Sequence, residues 1–251
     1  APAFAFELGT KTVISLPGVP REMEYLMQNF VLGYLKERYG LQETVIKPWV
    51  IHTIFKSESS IDELIGDLEK LSNPTVGLLA HPGQTDIRVT AKADSAVEAE
   101  NMMAPVLKLI REKLGNYIYG ENDTTLEEAV ANILAQNDAT LTLIEVGTKG
   151  EILARLKKYA PERVSGEFID GKISVDTLKA LVVDAKSQQN STLALGVMLI
   201  SESDKQNLTQ ILEAADTEKI QQRLYGGPPG DGQIWTVNSA LDAIRRYILK
   251  Y

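Results

Sequence analysis

The chain has no cysteine and only two histidines, His52 and His81. Disulfide scaffolds, cysteine–zinc sites and thiol nucleophiles are thereby excluded, and a histidine-rich metal cage cannot be built. No metal and no cofactor are expected. No apolar run approaches the roughly 20 residues that a membrane helix needs. Nothing at the N-terminus reads as a basic and then apolar signal peptide. A basic excess is missing too: 26 Lys and Arg stand against 34 Asp and Glu, a net charge of −8. Nucleic-acid binders show a basic excess or a basic stripe, and the longest basic cluster, Arg245-Arg246, shares its helix with Asp242. These absences lead to the expectation of a soluble cytoplasmic protein with neither a nucleic-acid nor a membrane partner. Ala1 in place of a starting Met is expected of a trimmed piece of something longer.

What is present is ordinary globular material. The 251 residues are 44% hydrophobic and 24% charged, enough for one large or two to three small domains. Lys11–Leu16 suits a buried strand, Pro17-Gly18-Val19-Pro20 breaks it, and Pro20 opens a helix that runs towards Arg38 and stops at Gly40. This strand, turn and helix read as the tail of an α/β unit. Thr44–Lys56 is β-branched and aromatic, hence a strand, and Ser59-Ser60 are expected to cap a helix over 61–71. Val76–Ala80 is a short strand, and His81-Pro82-Gly83-Gln84 is a hairpin turn. Thr85–Lys92 alternates as a half-buried strand should. Ser95–Leu114 is a helix with Val97, Met102, Val106, Leu109, Ile110 and Leu114 at apolar spacing. The sum is a compact βαββα module.

A third unit begins at Thr124-Thr125-Leu126-Glu127, which caps a helix to Gln136. Thr140–Val146 is an apolar strand, and Gly147-Thr148-Lys149-Gly150 turns into a helix over Glu151–Tyr159. Further apolar and helical stretches fill 172–225, and Gly226–Gly232 is a loop. A last helix over 233–250 puts Ile234, Val237, Leu241, Ile244 and Ile248 on one face.

Several stretches, in order, resemble the CinA family of competence/damage-inducible proteins. Ala1-Pro2-Ala3-Phe4 and Leu16-Pro17-Gly18-Val19-Pro20-Arg21-Glu22-Met23 are similar to the end of its molybdopterin-binding-like domain. Glu58-Ser59, Glu63-Leu64, Asn73-Pro74-Thr75-Val76 and Arg88–Lys92 resemble its middle module. Leu114-Gly115-Asn116-Tyr117-Ile118-Tyr119-Gly120, followed by Thr124–Glu128, matches "LGxYIYGxxxxTLEE". The resemblance implies α/β combined with α+β architecture in three parts: a remnant of the molybdopterin-binding-like unit over 1–42, a KH-like module over 43–120, and a three-layer α/β domain over 121–251.

The family's C-terminal domain resembles a nicotinamide-nucleotide deamidase whose hallmark is "AESCTGG", with serine as the expected nucleophile. Here the segment is Ile144-Glu145-Val146-Gly147-Thr148-Lys149-Gly150. Glu145, Thr148 and Gly150 match, and the serine is Val146. "FxGGxxxYSNxxK" aligns with Phe168–Asp176: Phe168 and Gly171 match, Val175 replaces the tyrosine, and Ala180 the lysine, with Lys179 one place off. "TGIAGPGG" has no counterpart around Leu195–Ser201. The end is retained, in Arg223-Leu224-Tyr225-Gly226-Gly227 and Ala240–Arg246. The metal-dependent pyrophosphatase motifs of the family's first domain would lie before residue 1.

The carry-over implies a non-catalytic pyridine-nucleotide-binding or regulatory protein, expected as a homodimer. Its ligand residues would be Glu145, Thr148, Lys149, Gly150, Gly171, Arg223, Gly226 and Gly227. The alternative is an active nicotinamide-nucleotide amidase with a relocated nucleophile, for which Ser165, Ser174 and Thr148 are the hydroxyls and Lys179 the nearby amine. Blander readings stand beside these. Thr148 can be a plain cap of a strand–helix turn, and Gly226–Gly232 a rigid connection in which Pro228-Pro229 lack donors. Leu64-Ile65-Gly66-Asp67, the nearest stretch to a KH glycine loop, has acidic neighbours that would repel phosphate. Both histidines read as structural, without a carboxylate–serine set, and Asp86/Arg88 as a surface ion pair.

Overall fold

A computed structural model describes residues 2–41, 44–202 and 205–251, so Ala1 of the family-like N-terminal motif and the boundary at 42/43 lie outside the described residues. Among these residues the strands form three sheets. Strands β1 (Phe4–Leu8) and β2 (Lys11–Ser15) pair as an antiparallel hairpin. Helices α1 (Pro20–Leu26) and α2 (Leu32–Tyr39) follow, joined by a π-helical turn over Met27–Val31, and Gly40 ends α2 in the left-handed region that glycine tolerates. Polar contacts hold α2 on the hairpin: Tyr34 donates to Glu7, and the Arg38 guanidinium reaches Glu7 and Thr12. Apolar cover is thin there. Phe4, Phe6 and Phe30 are exposed and only Val31 is buried.

The second sheet has the order β4-β5-β3-β6, from β3 (Val45–Ile54), β4 (Thr75–His81), β5 (Gln84–Ala93) and β6 (Ile118–Glu121), all antiparallel. Its core packs Ile51, Ile87 and Val89 against Ile61 and Ile65 of α3 (Glu58–Glu69) and Met103 and Ile110 of α4 (Ala96–Leu114). The βαββα order stands, with β6 as a fourth strand. The cap of α3 is Ser57, whose hydroxyl accepts from the Ser60 amide, rather than Ser59-Ser60. Ser57 fits better because its backbone is still extended while the next residue is already helical. Gly66 of the KH-loop comparison lies inside α3 and makes no loop. At α4 the Ser95 hydroxyl accepts from the Glu98 amide and Glu98 accepts from the Asp94 amide, two free donors satisfied together. Val97 and Leu109 face outward, not into the core.

The third sheet has the order β11-β10-β9-β7-β8. Strands β7 (Leu141–Val146), β8 (Val164–Ile169) and β9 (Leu193–Glu202) are parallel, while β10 (Lys205–Ala214) and β11 (Glu218–Tyr225) continue antiparallel. On one face lie α5 (Leu126–Gln136), α6 (Glu151–Lys157) and α8 (Gly232–Leu249), packed on Leu143, Leu195 and Leu208. On the other lies α7 (Val175–Gln189), packed on Ile144, Ala194 and Ile211. This is a three-layer arrangement, mixed α/β. The expectation of helical stretches over 172–225 is corrected: among the described residues there α7 alone is helical, and three long strands follow. Helix α6 ends at Lys157, short of Tyr159, and Ile234 of α8 is exposed.

The last helix also docks the second sheet. The Asn238 amide donates to the Pro82 carbonyl at 2.8 Å, and Trp235 meets Phe55 edge-on at 5.9 Å. Arg245 is 2% exposed, pairs with Asp242, and donates to the carbonyls of Asn116 at 2.8 Å and Ile118 at 3.3 Å.

Candidate functional site

Open α/β sheets bind ligands outside the carboxyl ends of their strands, where the strand order reverses. Here β7 leads through α6 to β8 on one side, and β8 leads through α7 to β9 on the other. Val146, the last residue of β7, therefore stands at the reversal. It is 2% exposed and pairs across to Ile169 of β8 and Met198 of β9. Ile173, Val175 and Ile200 pack against the same cluster. Val146 is thus enclosed by apolar side chains.

The turn after β7 is held from within. The Glu145 carboxylate is fully buried and accepts from the Thr148 hydroxyl at 2.6 Å, the Leu153 amide at 2.7 Å and the Ile152 amide at 3.2 Å. A strand-end carboxylate thus satisfies the free donors of α6, matching the positive end of the helix dipole. Thr148 does not cap α6, as the plain-turn reading has it; Gly150 occupies the cap position and Thr148 binds Glu145. Gly147 and Lys149 both have positive φ. Gly147 is required by space as well, because a Cβ there would lie 2.1 Å from the Leu199 carbonyl oxygen.

The remaining sequence candidates scatter. Ser174 is the cap of α7, its hydroxyl accepting from the Thr177 amide at 3.0 Å. Lys179 is paired with Glu218 at 2.6 Å. Ser165 lies 3.0 Å from the Thr142 hydroxyl, at the opposite end of β8 from Ile169. Gly171 is exposed in the turn before α7, and Gly226 and Gly227 are exposed in the loop before α8. Arg223, on β11, faces the α8 side of the sheet and does not meet Val146, which faces α7. The eight ligand candidates are therefore not brought into one site.

Arg223 opens instead on a cavity of about 780 Å³ between β10, β11 and α8. The guanidinium lies 5.5 Å above the Phe55 ring and donates over 3.5 Å to the Ser239 hydroxyl, which in turn donates to Gln210 Oε1 at 3.4 Å. Gln210 Nε2 is buried and has no partner among the described residues. Burial and the nearby Arg246 charge lower the Arg223 pKa, with Asp242 opposing them. Gln210, Ser239 and Arg246 were missed in the sequence; only recognition of β10 and β11 as strands would have placed them together.

On the second sheet His52 and Asp86 face each other across β3 and β5. His52 Nδ1 is 2.7 Å from Asp86 Oδ1 and Nε2 is 2.6 Å from the Asn122 carbonyl, while His81 Nε2 is 3.2 Å from Asp86 Oδ2. A carboxylate does neighbour both histidines, and Asp86 pairs with them rather than with Arg88. Both partners of His52 are acceptors, so satisfying both contacts at once requires the imidazolium, with both ring nitrogens donating. The Asp86 hydrogen bond accordingly raises the His52 pKa, against burial. Burial alone would push Asp86 up, but the His52 bond and charge outweigh it and hold its carboxyl below the usual range. Among the described residues no group of three or more His, Asp or Glu could hold a metal ion, and no helix is long and apolar enough to cross a membrane.

Fold and site together define a mixed α/β chain with a four-stranded middle module docked on a three-layer domain. Comparison with known proteins places it more closely. The family described as "Damage-inducible protein CinA KH domain" matches residues 50–120. A putative competence-damage inducible protein of Clostridium botulinum (strain 657 / Type Ba4) is 39% identical over 175 residues, 69% of this chain and 42% of that protein. A CinA-like protein of Dictyoglomus thermophilum is 40% identical over 157 residues, 62% of this chain and 38% of that protein. A crystal structure of a CinA superfamily protein from Klebsiella pneumoniae 700603 covers 50% of this chain and 97% of its own, at 13% identity and a TM-score of 0.44. The chain belongs to the CinA family. It spans less than half the length of the curated relatives it matches.

Proposed function

We propose that the C-terminal domain of this CinA-family chain is a non-catalytic binding or regulatory domain that does not hydrolyse an amide. The chain divides into a molybdopterin-binding-like remnant over 1–42, a KH-like module over 43–120 and the deamidase-like domain over 121–251. One observation carries the reading: Val146, where the family has its serine, is buried among Ile169, Met198 and Ile200. Valine offers no nucleophile, and its side chain packs in an aliphatic cluster. A relocated nucleophile is disfavoured because Thr148, Ser174 and Ser165 each serve a local hydrogen bond and Lys179 is paired with Glu218. A pyridine nucleotide is the ligand to test first.

The test follows nicotinamide mononucleotide by proton NMR in the presence of the 251-residue chain. The expected result is no conversion of the amide to the acid, and broadening of the nucleotide resonances identifies the ligand. Val146→Ser is expected to stay inactive, since its hydroxyl would point into the aliphatic cluster. Conversion by the unaltered chain overturns the proposal, and its loss in Ser174→Ala or Thr148→Ala would identify the nucleophile.

A further inference from the structure

The cavity between β10, β11 and α8 lies on the face of the sheet opposite Val146, so what it does is independent of amide hydrolysis. Its walls carry Arg223, Arg246, Lys219 and Lys250 against Asp216 and Asp242, two positive charges in excess, in a chain whose net charge is −8. Both acids are engaged. Asp216 accepts from the Tyr247 hydroxyl, and Asp242 is held by Arg245 and Arg246. Arg223 has no carboxylate partner among the described residues, and its contact to Ser239 is long at 3.5 Å. Gln210 is 3% exposed, and its Nε2 is a buried donor without an acceptor among the described residues. Leaving a buried amide donor unpaired is costly unless something else accepts from it. Burial and the Arg246 charge lower the Arg223 pKa, and an anion beside the guanidinium would favour its charged form against both.

We infer that this cavity is a binding site for a phosphorylated small molecule, its phosphoryl group held by Arg223, Arg246 and Gln210 Nε2. Those donors come from β11, α8 and β10, and a phosphoryl group carries three strong acceptor oxygens where a carboxylate has two. The volume, about 780 Å³, lies within the usual range for small-molecule sites and leaves room for a body attached to the phosphate. Tyr247 and Tyr251 line the same space and offer ring surface to that body, while their hydroxyls are bonded to Asp216 and the Asn116 carbonyl.

Calorimetric titration of the whole chain with ribose 5-phosphate, inorganic phosphate and succinate tests the site. Ribose 5-phosphate and phosphate are expected to bind saturably at one site and succinate more weakly. Arg223→Gln is expected to weaken binding by about tenfold or more, the usual effect of losing a charge-assisted hydrogen bond. Gln210→Met removes the unpartnered Nε2 while conserving shape, and gives up only the long 3.4 Å bond that Oε1 accepts from Ser239. It is expected to melt no lower than the parent chain without ligand and still to lose about tenfold in phosphate affinity. This second variant decides the matter even if Arg223→Gln fails to fold. Absence of saturable binding to the parent chain overturns the site, and so does full affinity in Gln210→Met. Succinate binding as tightly as the phosphates overturns the assignment of ligand class.

Discussion

Raising the pH should loosen the second sheet through His52, and the size of the effect follows from its two contacts. The ring sits between Asp86 Oδ1 at 2.7 Å and the Asn122 carbonyl at 2.6 Å, with its side chain 14% exposed. Both bonds need the imidazolium. Deprotonation removes one N–H, so one acceptor loses its donor and Asp86 loses the adjacent charge. A hydrogen bond to a charged group is worth about 1.5–3 kcal/mol, and about 2 kcal/mol is the reasonable figure for a partly covered pair. Because the folded-state pKa of His52 is raised, this stability is fully present below the unfolded value near 6.5 and is lost as pH rises through the folded pKa. Asp86, held below its usual range, adds stability that is present above the unfolded carboxylate range and lost as pH falls through the folded one. At 2–4 °C per kcal/mol for a chain of this size, Tm should fall by about 4–8 °C between about pH 6 and pH 9. The assay compares melting curves of the parent chain and His52→Gln across that range and follows the His52 Hε1 resonance. Identical pH dependence in both proteins, or a His52 titration at or below its unfolded value, would refute the imidazolium.

Other substitutions probe the third sheet. Gly147→Ala combines a positive φ with a methyl placed 2.1 Å from the Leu199 carbonyl oxygen; it should cost about 3 kcal/mol, read as a lower denaturant midpoint. Glu145→Gln keeps the shape but converts one acceptor oxygen into a donor facing N–H groups, so it should lose about 2 kcal/mol and show faster amide exchange at Ile152 and Leu153. Arg245→Met leaves Asp242 with Arg246 alone and frees the carbonyls of Asn116 and Ile118. A loss of about 3–5 kcal/mol is expected, with new protease sensitivity near 115–122.

How much of this was legible in the sequence depends on whether a signal is local. Alternation in Thr85–Lys92 and the apolar spacing of Val106, Ile110 and Leu114 announce β5 and α4, because a half-buried strand and an amphipathic helix write themselves into neighbouring residues. Strands β9 to β11 do not. Leu193–Leu199 is buried on both faces and so loses its alternation. Glu218–Tyr225 is rich in good helix formers, yet it sits as an edge strand because β10 offers it a complete ladder. Missing β11 meant missing the Arg223 cavity as well. The His52–Asp86 pair depends on the register of β3 against β5, which no turn fixes since the two strands are not consecutive. Val146 was visible from the family motif alone, but its apolar surroundings come from β8, β9 and α7 together.

The docking of α8 also sets an order of events during synthesis. Residues 45–121 contain a core of their own and can collapse early, since domains fold from the N-terminal side as the chain emerges. Pro82, Phe55 and the carbonyls of Asn116 and Ile118 then wait for Trp235, Asn238 and Arg245. Those partners follow Glu121 by more than a hundred residues in the chain. The middle module is therefore born with an unfinished edge, and a chain interrupted before residue 232 would present a folded sheet whose docking face still awaits its partner.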